Sequence, residues 1–327
     1  MAIISEYIIE NIDCAKESID EEKLEDFVDN LFSNLQGQAI INVPIQDADN
    51  ADRGKEVVDS FQKAWKSGQK TYKGTFDREL LQKIALIIEP RLQPIIPNSD
   101  LAALRSGSAR LEHIQGYLPP ANEARIELQL SRLQAAVNDN DLHPVEEAVL
   151  LYMHIVRIQP FDNGNKRTAN TIMNLTLSHH GFPVTYIAQE ERTTYLSLLS
   201  HAFKAFNEQG SLGDHIDAFV NPNSTQRGFY DFLGNKIHTN LLMARDYLKN
   251  LKRYEVEIDS KNPGQAYAAK RVINGWFNKQ RDNKTHQIKL MPKSGKLLIT
   301  GEIPYDILNH IMEDVSKGRM KYSIERK

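Results

Sequence analysis

The sequence predicts a mainly α fold, with a helical core, small β-hairpins and additional lobes at the N- and C-terminal ends. Three observations carry that prediction. Apolar residues recur at spacings of three and four along most of the 327 residues. Glycines and prolines gather in short stretches between those segments. Only two stretches, 104–120 and 287–300, pair brief apolar runs with turn residues in the manner of hairpins. The chain is long enough for a core with appended lobes, and its 41% hydrophobic and 25% charged residues are ordinary for a globular protein.

Taken in chain order, Ser18-Ile19-Asp20-Glu21 has the form of a capping box. Leu24, Phe27, Val28, Leu31 and Phe32 then make one apolar stripe. A polar stretch over 46–53 separates it from a helix over 57–65, and Gly68 opens a turn-like linker. Leu80, Leu81, Ile84, Ala85 and Ile88 line the next helix, which ends before Pro90. Helices follow over 122–137 and 144–157, the second with Ala148, Leu151, Tyr152, Ile155 and Val156 on one face. Pro160 stops it, because proline has no amide donor and crowds the preceding turn. Another helix starts near Asn165 with Ile172, Met173, Leu175 and Thr176 inward, and one more spans 191–208. The last third reads as a long helix over 229–252, a helix over 266–277, a hairpin of 287–291 and 296–300 around a 292–295 turn, and a final helix over 304–315.

The net charge of −3 conceals an asymmetry. Residues 1–220 hold 20 Lys+Arg against 32 Asp+Glu, and residues 221–327 hold 20 against 11. A basic C-terminal lobe is suited to an acidic partner or nucleic acid, and equally to docking on an acidic half of its own chain. No apolar run approaches a bilayer-spanning length and no basic-then-apolar leader opens the sequence. Cys14 is the single cysteine, so no intrachain disulfide forms, and a reducing cytoplasm is the expected setting.

The chemistry is concentrated in Gln159-Pro160-Phe161-Asp162-Asn163-Gly164-Asn165-Lys166-Arg167-Thr168-Ala169-Asn170. A helix, a proline turn, Gly-Asn and a new helix start present backbone amides that lack an intrahelical partner, an arrangement able to cradle phosphate. Gly164 admits a backbone shape or close approach that a side chain obstructs. Lys166 and Arg167 place two cations at a helix N-terminus, which is unfavourable unless an anion offsets them. Structural turns rich in Gly and Asn are also common, so the loop read alone leaves both meanings open.

That run resembles the signature of the Fic/Doc (Fido) family, whose pattern is His-Pro-Phe-x-Asp/Glu-Gly-Asn-Gly-Arg-x-x-Arg. The match holds at Pro160, Phe161, Gly164, Asn165 and Arg167, and Lys166 resembles the Doc branch. Leu104-Arg105 through Gly116 and Pro119 is similar to the family's flap, a hairpin that aligns a target peptide. Arg192-Thr193-Thr194-Tyr195 and Ala202 resemble the helix closing the core. The resemblance implies a Fido-type core over 70–220, an N-terminal helical extension over 1–69 and a basic C-terminal α(+β-hairpin) domain over 221–327. It implies transfer of AMP, or phosphate, from ATP to a protein hydroxyl. Gly164, Asn165, Lys166 and Arg167 would hold the phosphates, Mg²⁺ would sit near Asn163 or Asp162, and a protein substrate would lie at the flap.

Three departures mark this chain. Gln159 stands where the family has its histidine base, and an amide cannot accept the acceptor's proton at neutral pH. Asn163 replaces the usual carboxylate, a poorer ligand for hard Mg²⁺. Asn170 replaces the second arginine. Losing base catalysis costs about 10²–10⁴-fold, so transfer is expected to be weak or lost. The alternative is a non-catalytic protein- or nucleic-acid-interaction module on a degenerate Fido scaffold, without membrane contact.

Overall fold

The computed structural model describes residues 2–17, 19, 51–111, 114, 116–139, 141–185, 187, 189–208, 217–250, 252–259, 263–279, 287–291, 296–301, 305–316 and 321–326. The expected capping box at Ser18, the stripe from Leu24 to Phe32 and the 292–295 turn lie outside these residues. The chain divides into two units, one holding residues 1–28 and 35–244 and the other 29–34 and 245–327.

The first unit is helical. Its elements are α1 (Glu6–Lys16), α2 (Ala51–Thr71), α3 (Arg78–Ile88), α4 (Glu123–Asn138), α5 (Pro144–Ile158), α6 (Asn165–His179), α7 (Arg192–Glu208), the short α8 (Asp217–Val220) and the start of α9 (Ser224–Asn250). At its centre lies α5, apolar nearly all round: Ala148, Val149, Leu150, Leu151, Met153, Ile155 and Val156 have no exposed surface, as expected of a helix enclosed by others. It starts where the sequence directs. Pro144 occupies the first turn, the His143 ring accepts the Val145 amide, and Glu146 returns a hydrogen bond from the His143 amide. Asp77 and Asn122 cap α3 and α4 more simply, each accepting one amide, of Leu80 and Arg125, on its side chain. The next helix, α6, packs along α5, with α2 and α3 against α6 and α4 against α5.

Gly68 corrects one sequence expectation. It does not open a linker, because α2 continues to Thr71. A Cβ at Gly68 would lie 2.4 Å from Leu175 Cδ1 of α6. The glycine lets two helices approach, and its helix-propensity cost of about 1 kcal/mol is offset by that contact. Between α3 and α4 the backbone is irregular. Its pairing is an isolated bridge, Pro94 with Ala102, and the described residues of 104–120 form no strand ladder.

The second unit runs from the end of α9 through β1 (Lys252–Asp259), α10 (Pro263–Lys279), β2 (Gln287–Met291), β3 (Lys296–Gly301), α11 (Tyr305–Ser316) and β4 (Lys321–Arg326). The expected hairpin is present, with Ile288 opposite Ile299 and Leu290 opposite Leu297. Two further strands join it in an antiparallel sheet of order β2-β3-β1-β4. A βαββαβ chain with that order has the ferredoxin-like topology. Tyr254 and Val256 of β1 and Leu297 and Ile299 of β3 meet Ala269, Ile273, Leu308 and Met312 of the helices in one core. Among the described residues, no helix is long and apolar enough to cross a membrane.

Candidate active site

The loop joining α5 to α6 is held by residues of α5, α6 and the end of α3. Gln159 ends α5 in the left-handed region, φ 50° and ψ 61°, a conformation that costs a non-glycine residue about 1 kcal/mol or more. Its side chain helps to hold it there. Gln159 Nε2 donates to Val156 O at 2.6 Å, and Gln159 Oε1 accepts from Asn165 Nδ2 at 3.0 Å. Asn165 in turn closes the loop on itself, taking the Phe161 amide on Oδ1 at 2.9 Å and donating Nδ2 to Phe161 O at 2.7 Å. Phe161 is buried beneath the loop, as an anchor would be.

Gly164 is the N-cap of α6 at φ 78°. A Cβ there would meet Glu89 Cβ at 3.2 Å, so backbone strain and a close neighbour both favour glycine. The amides of the first turn of α6 have no acceptor within the helix. Lys166 is half-buried and Asp162 exposed. Arg167 is buried, and its partner is a residue sequence reading missed. Arg167 Nη2 lies 3.0 Å from Glu89 Oε2, and Nη1 donates to Ile88 O at 3.3 Å. The same Glu89 oxygen accepts Asn163 Nδ2 at 3.2 Å, while Asn163 Oδ1 accepts the Gly164 amide at 2.7 Å. Glu89, the C-cap of α3, thus ties both flanks of Gly164 to another helix. No local pattern marks it; the pairing spans 78 residues.

Beside Arg167 lies a cavity of about 340 Å³ whose walls include Asp59, Ser60 and Lys63 of α2, with Ile88 and Glu89. Among the described residues, no group of three His, Cys, Asp or Glu side chains stands ready to hold a metal. Mg²⁺ commonly binds through one or two carboxylates plus substrate phosphates. Asp162 offers an exposed carboxylate there, and Asn163 offers a neutral oxygen, Oδ1, that also accepts the Gly164 amide.

His154 of α5 is a packing residue. It is fully buried, stacks on Phe219 at 4.3 Å between ring centroids, and accepts from Arg157 Nε at 3.1 Å. Burial, helped by the Arg157 charge, holds its pKa well below the usual histidine value. His180 serves as the C-cap of α6 and His179 is exposed in its last turn.

Residues 75–177 match the Fic/DOC family. A protein adenylyltransferase Fic of Drosophila grimshawi is 33% identical over 93 residues, 28% of this chain and 19% of that protein. Its counterpart in Nematostella vectensis is 36% identical over 92 residues, 27% and 21% of the two chains. The matched segment therefore spans about a fifth of these curated relatives. The crystal structure of a Fic-domain-containing signaling protein from Bacteroides thetaiotaomicron superposes with a TM-score of 0.56 at 17% identity, over 73% of this chain and 97% of that one. The last likeness is one of fold.

Proposed function

We propose that this chain, whose residues 75–177 match the Fic/DOC family, transfers AMP or phosphate from ATP to a protein hydroxyl, at a rate limited by Gln159. The observation that carries the reading is the left-handed Gly164 opening α6 beside Lys166 and Arg167. In AMP transfer the acceptor oxygen bonds to the α-phosphorus and pyrophosphate leaves; in phosphate transfer it bonds to the γ-phosphorus and ADP leaves. Asn165, Lys166 and Arg167 offer first-turn amides and charge to the phosphates. Lys166 adds a compact positive charge, and Arg167, whose fork is shared with Glu89, adds a second. Asp162 would hold Mg²⁺, which when bound neutralises charge on the nucleotide phosphates. Gln159 can orient the acceptor hydroxyl but leaves its proton to water or phosphate.

One observation favours the second reading, a scaffold that has kept the fold and lost transfer. Both ends of the Gln159 amide are occupied in capping the loop, by Val156 O and by Asn165 Nδ2. Such a protein would act through its surfaces, including the basic residues of 221–327.

Intact-mass analysis with ATP, Mg²⁺ and lysate acceptors, run on the native chain beside Gln159→His, Gln159→Ala and Lys166→Ala, separates these readings. A mass gain of AMP or phosphate that Lys166→Ala reduces supports transfer and identifies the group. Gain in Gln159→His alone identifies a scaffold silenced at its base. No gain in any folded variant rejects transfer from ATP.

A further inference from the structure

Arg105 is buried, with 2% of its surface exposed, and its guanidinium gathers carbonyls from three stretches of chain. Nε donates to Gln159 O at 2.5 Å, Nη2 to Pro120 O at 2.6 Å and to Ile158 O at 3.2 Å, and Nη1 to Gly107 O. The Arg105 amide adds a bond to Pro160 O at 3.0 Å. Two of the acceptors, Ile158 O and Gln159 O, are C-terminal carbonyls of α5 without intrahelical donors, where a cation is favoured. The other two, Gly107 O and Pro120 O, stand at either end of one surface loop. Residues 107–120 therefore leave and return to a single side chain. Tyr117 OH gives the loop another hold on α5, donating to Arg157 O at 3.3 Å. Its exposed residues include Ser108, Arg110 and Leu118.

We infer that Arg105 is a positioning residue that fixes the base of loop 107–120 against Gln159, so that one guanidinium sets where an acceptor protein meets the transfer site. The role rests on the transferase reading above; the physical coupling does not. A planar fork with five N–H donors can serve four carbonyls at once, and lysine's compact ammonium cannot. Asp162, exposed on the signature loop, carries a charge that favours the Arg105 cation against its burial. Side chain and amide together thus hold three successive carbonyls, those of Ile158, Gln159 and Pro160.

The test uses the full chain with Arg105→Lys and Arg105→Gln, each checked for cooperative unfolding. Trypsin cleavage after the exposed Arg110 reports opening of the loop and needs no activity. Both variants are expected to be cut about tenfold faster than the native chain. In a Gln159→His background that transfers, KM for the acceptor is expected to rise about tenfold, with KM for ATP nearly unchanged. Arg105→Lys, which keeps the charge, is expected to recover less than half of the loss. Unchanged cleavage in folded variants overturns the inference. So does an equal loss against both substrates, or failure of both variants to fold, since each makes Arg105 merely structural. Faster cleavage with no transfer in any background keeps the coupling and rejects the transferase reading instead.

Discussion

The two ends of the α5–α6 pair are finished by different physics. At the end where α5 begins and α6 stops, ordinary capping does the work: His143 and Glu146 close a capping box, and Glu146 Oε1 also accepts the Ile3 and Ile4 amides at 2.6 and 3.1 Å. At the signature end two left-handed residues, Gln159 and Gly164, are held by a buried ion pair and a buried arginine clamp. The first end is made of parts that stabilise wherever they occur. The second accepts strain and buried charge to shape the loop, a departure from local preference.

The largest test of that contrast is the Glu89–Arg167 pair. Arg167→Met leaves a buried carboxylate uncompensated and should cost about 3–5 kcal/mol in urea unfolding, whereas Glu89→Met with Arg167→Met should lie within about 1 kcal/mol of native. A double variant as damaged as the single one would show that the pair supplies stability in its own right. At the other end, Glu146→Ala removes a charged acceptor from two buried amides and should cost about 2–3 kcal/mol, with faster hydrogen exchange at Ile3 and Ile4. Third is Glu147, whose carboxyl burial pushes up to about 7, with the Tyr72 hydroxyl opposing the shift. A carboxyl with a raised folded pKa stabilises when protonated. Its contribution is complete below about 4.5 and is lost as pH rises through 7. Discounted for the solvent it still meets, that loss is about 1–2 kcal/mol; a Glu147→Gln chain should show a flatter stability profile between pH 5 and about 8. The smallest effect is expected from Asp13→Ala, which breaks the half-exposed contact of Asp13 Oδ1 with His143 Nε2 at 3.0 Å and should cost below about 0.5 kcal/mol.

Much of the first unit was legible because its signals are local. Leu80, Leu81, Ile84, Ala85 and Ile88 are all buried along α3, as their spacing predicts. Pro160 and Gly164 bracket the loop as proline and glycine chemistry requires. Gly68 misled because glycine has two uses, and only the position of Leu175 decides between a turn and a close helix approach. Strands β1 and β4 escaped notice although Tyr254 and Val256 alternate with Glu255 and Glu257; a period of two was present, attached to the end of a long helical pattern. In the site, the residues of the loop were legible and their partners were not. Glu89 and Arg105 lie 78 and 54 residues from the atoms they hold, and no spacing rule reaches that far. The register also places Glu255 opposite Glu325 on the face of the sheet away from the helices, a detail net charge alone hides from any reading of residues 221–327 as uniformly basic.

The Glu89–Arg167 pairing bears on the order in which the protein folds. Helices α5 and α6 are neighbours in sequence and can form their contact early, but the loop between them acquires its final shape only when the end of α3 arrives from 78 residues away. Contacts of such separation must first meet the entropy of closing a long chain segment. Weakening this pair is therefore expected to hasten unfolding while leaving the refolding rate nearly unaltered. The loop between α5 and α6 would be the last part of the unit to set and the first to come loose.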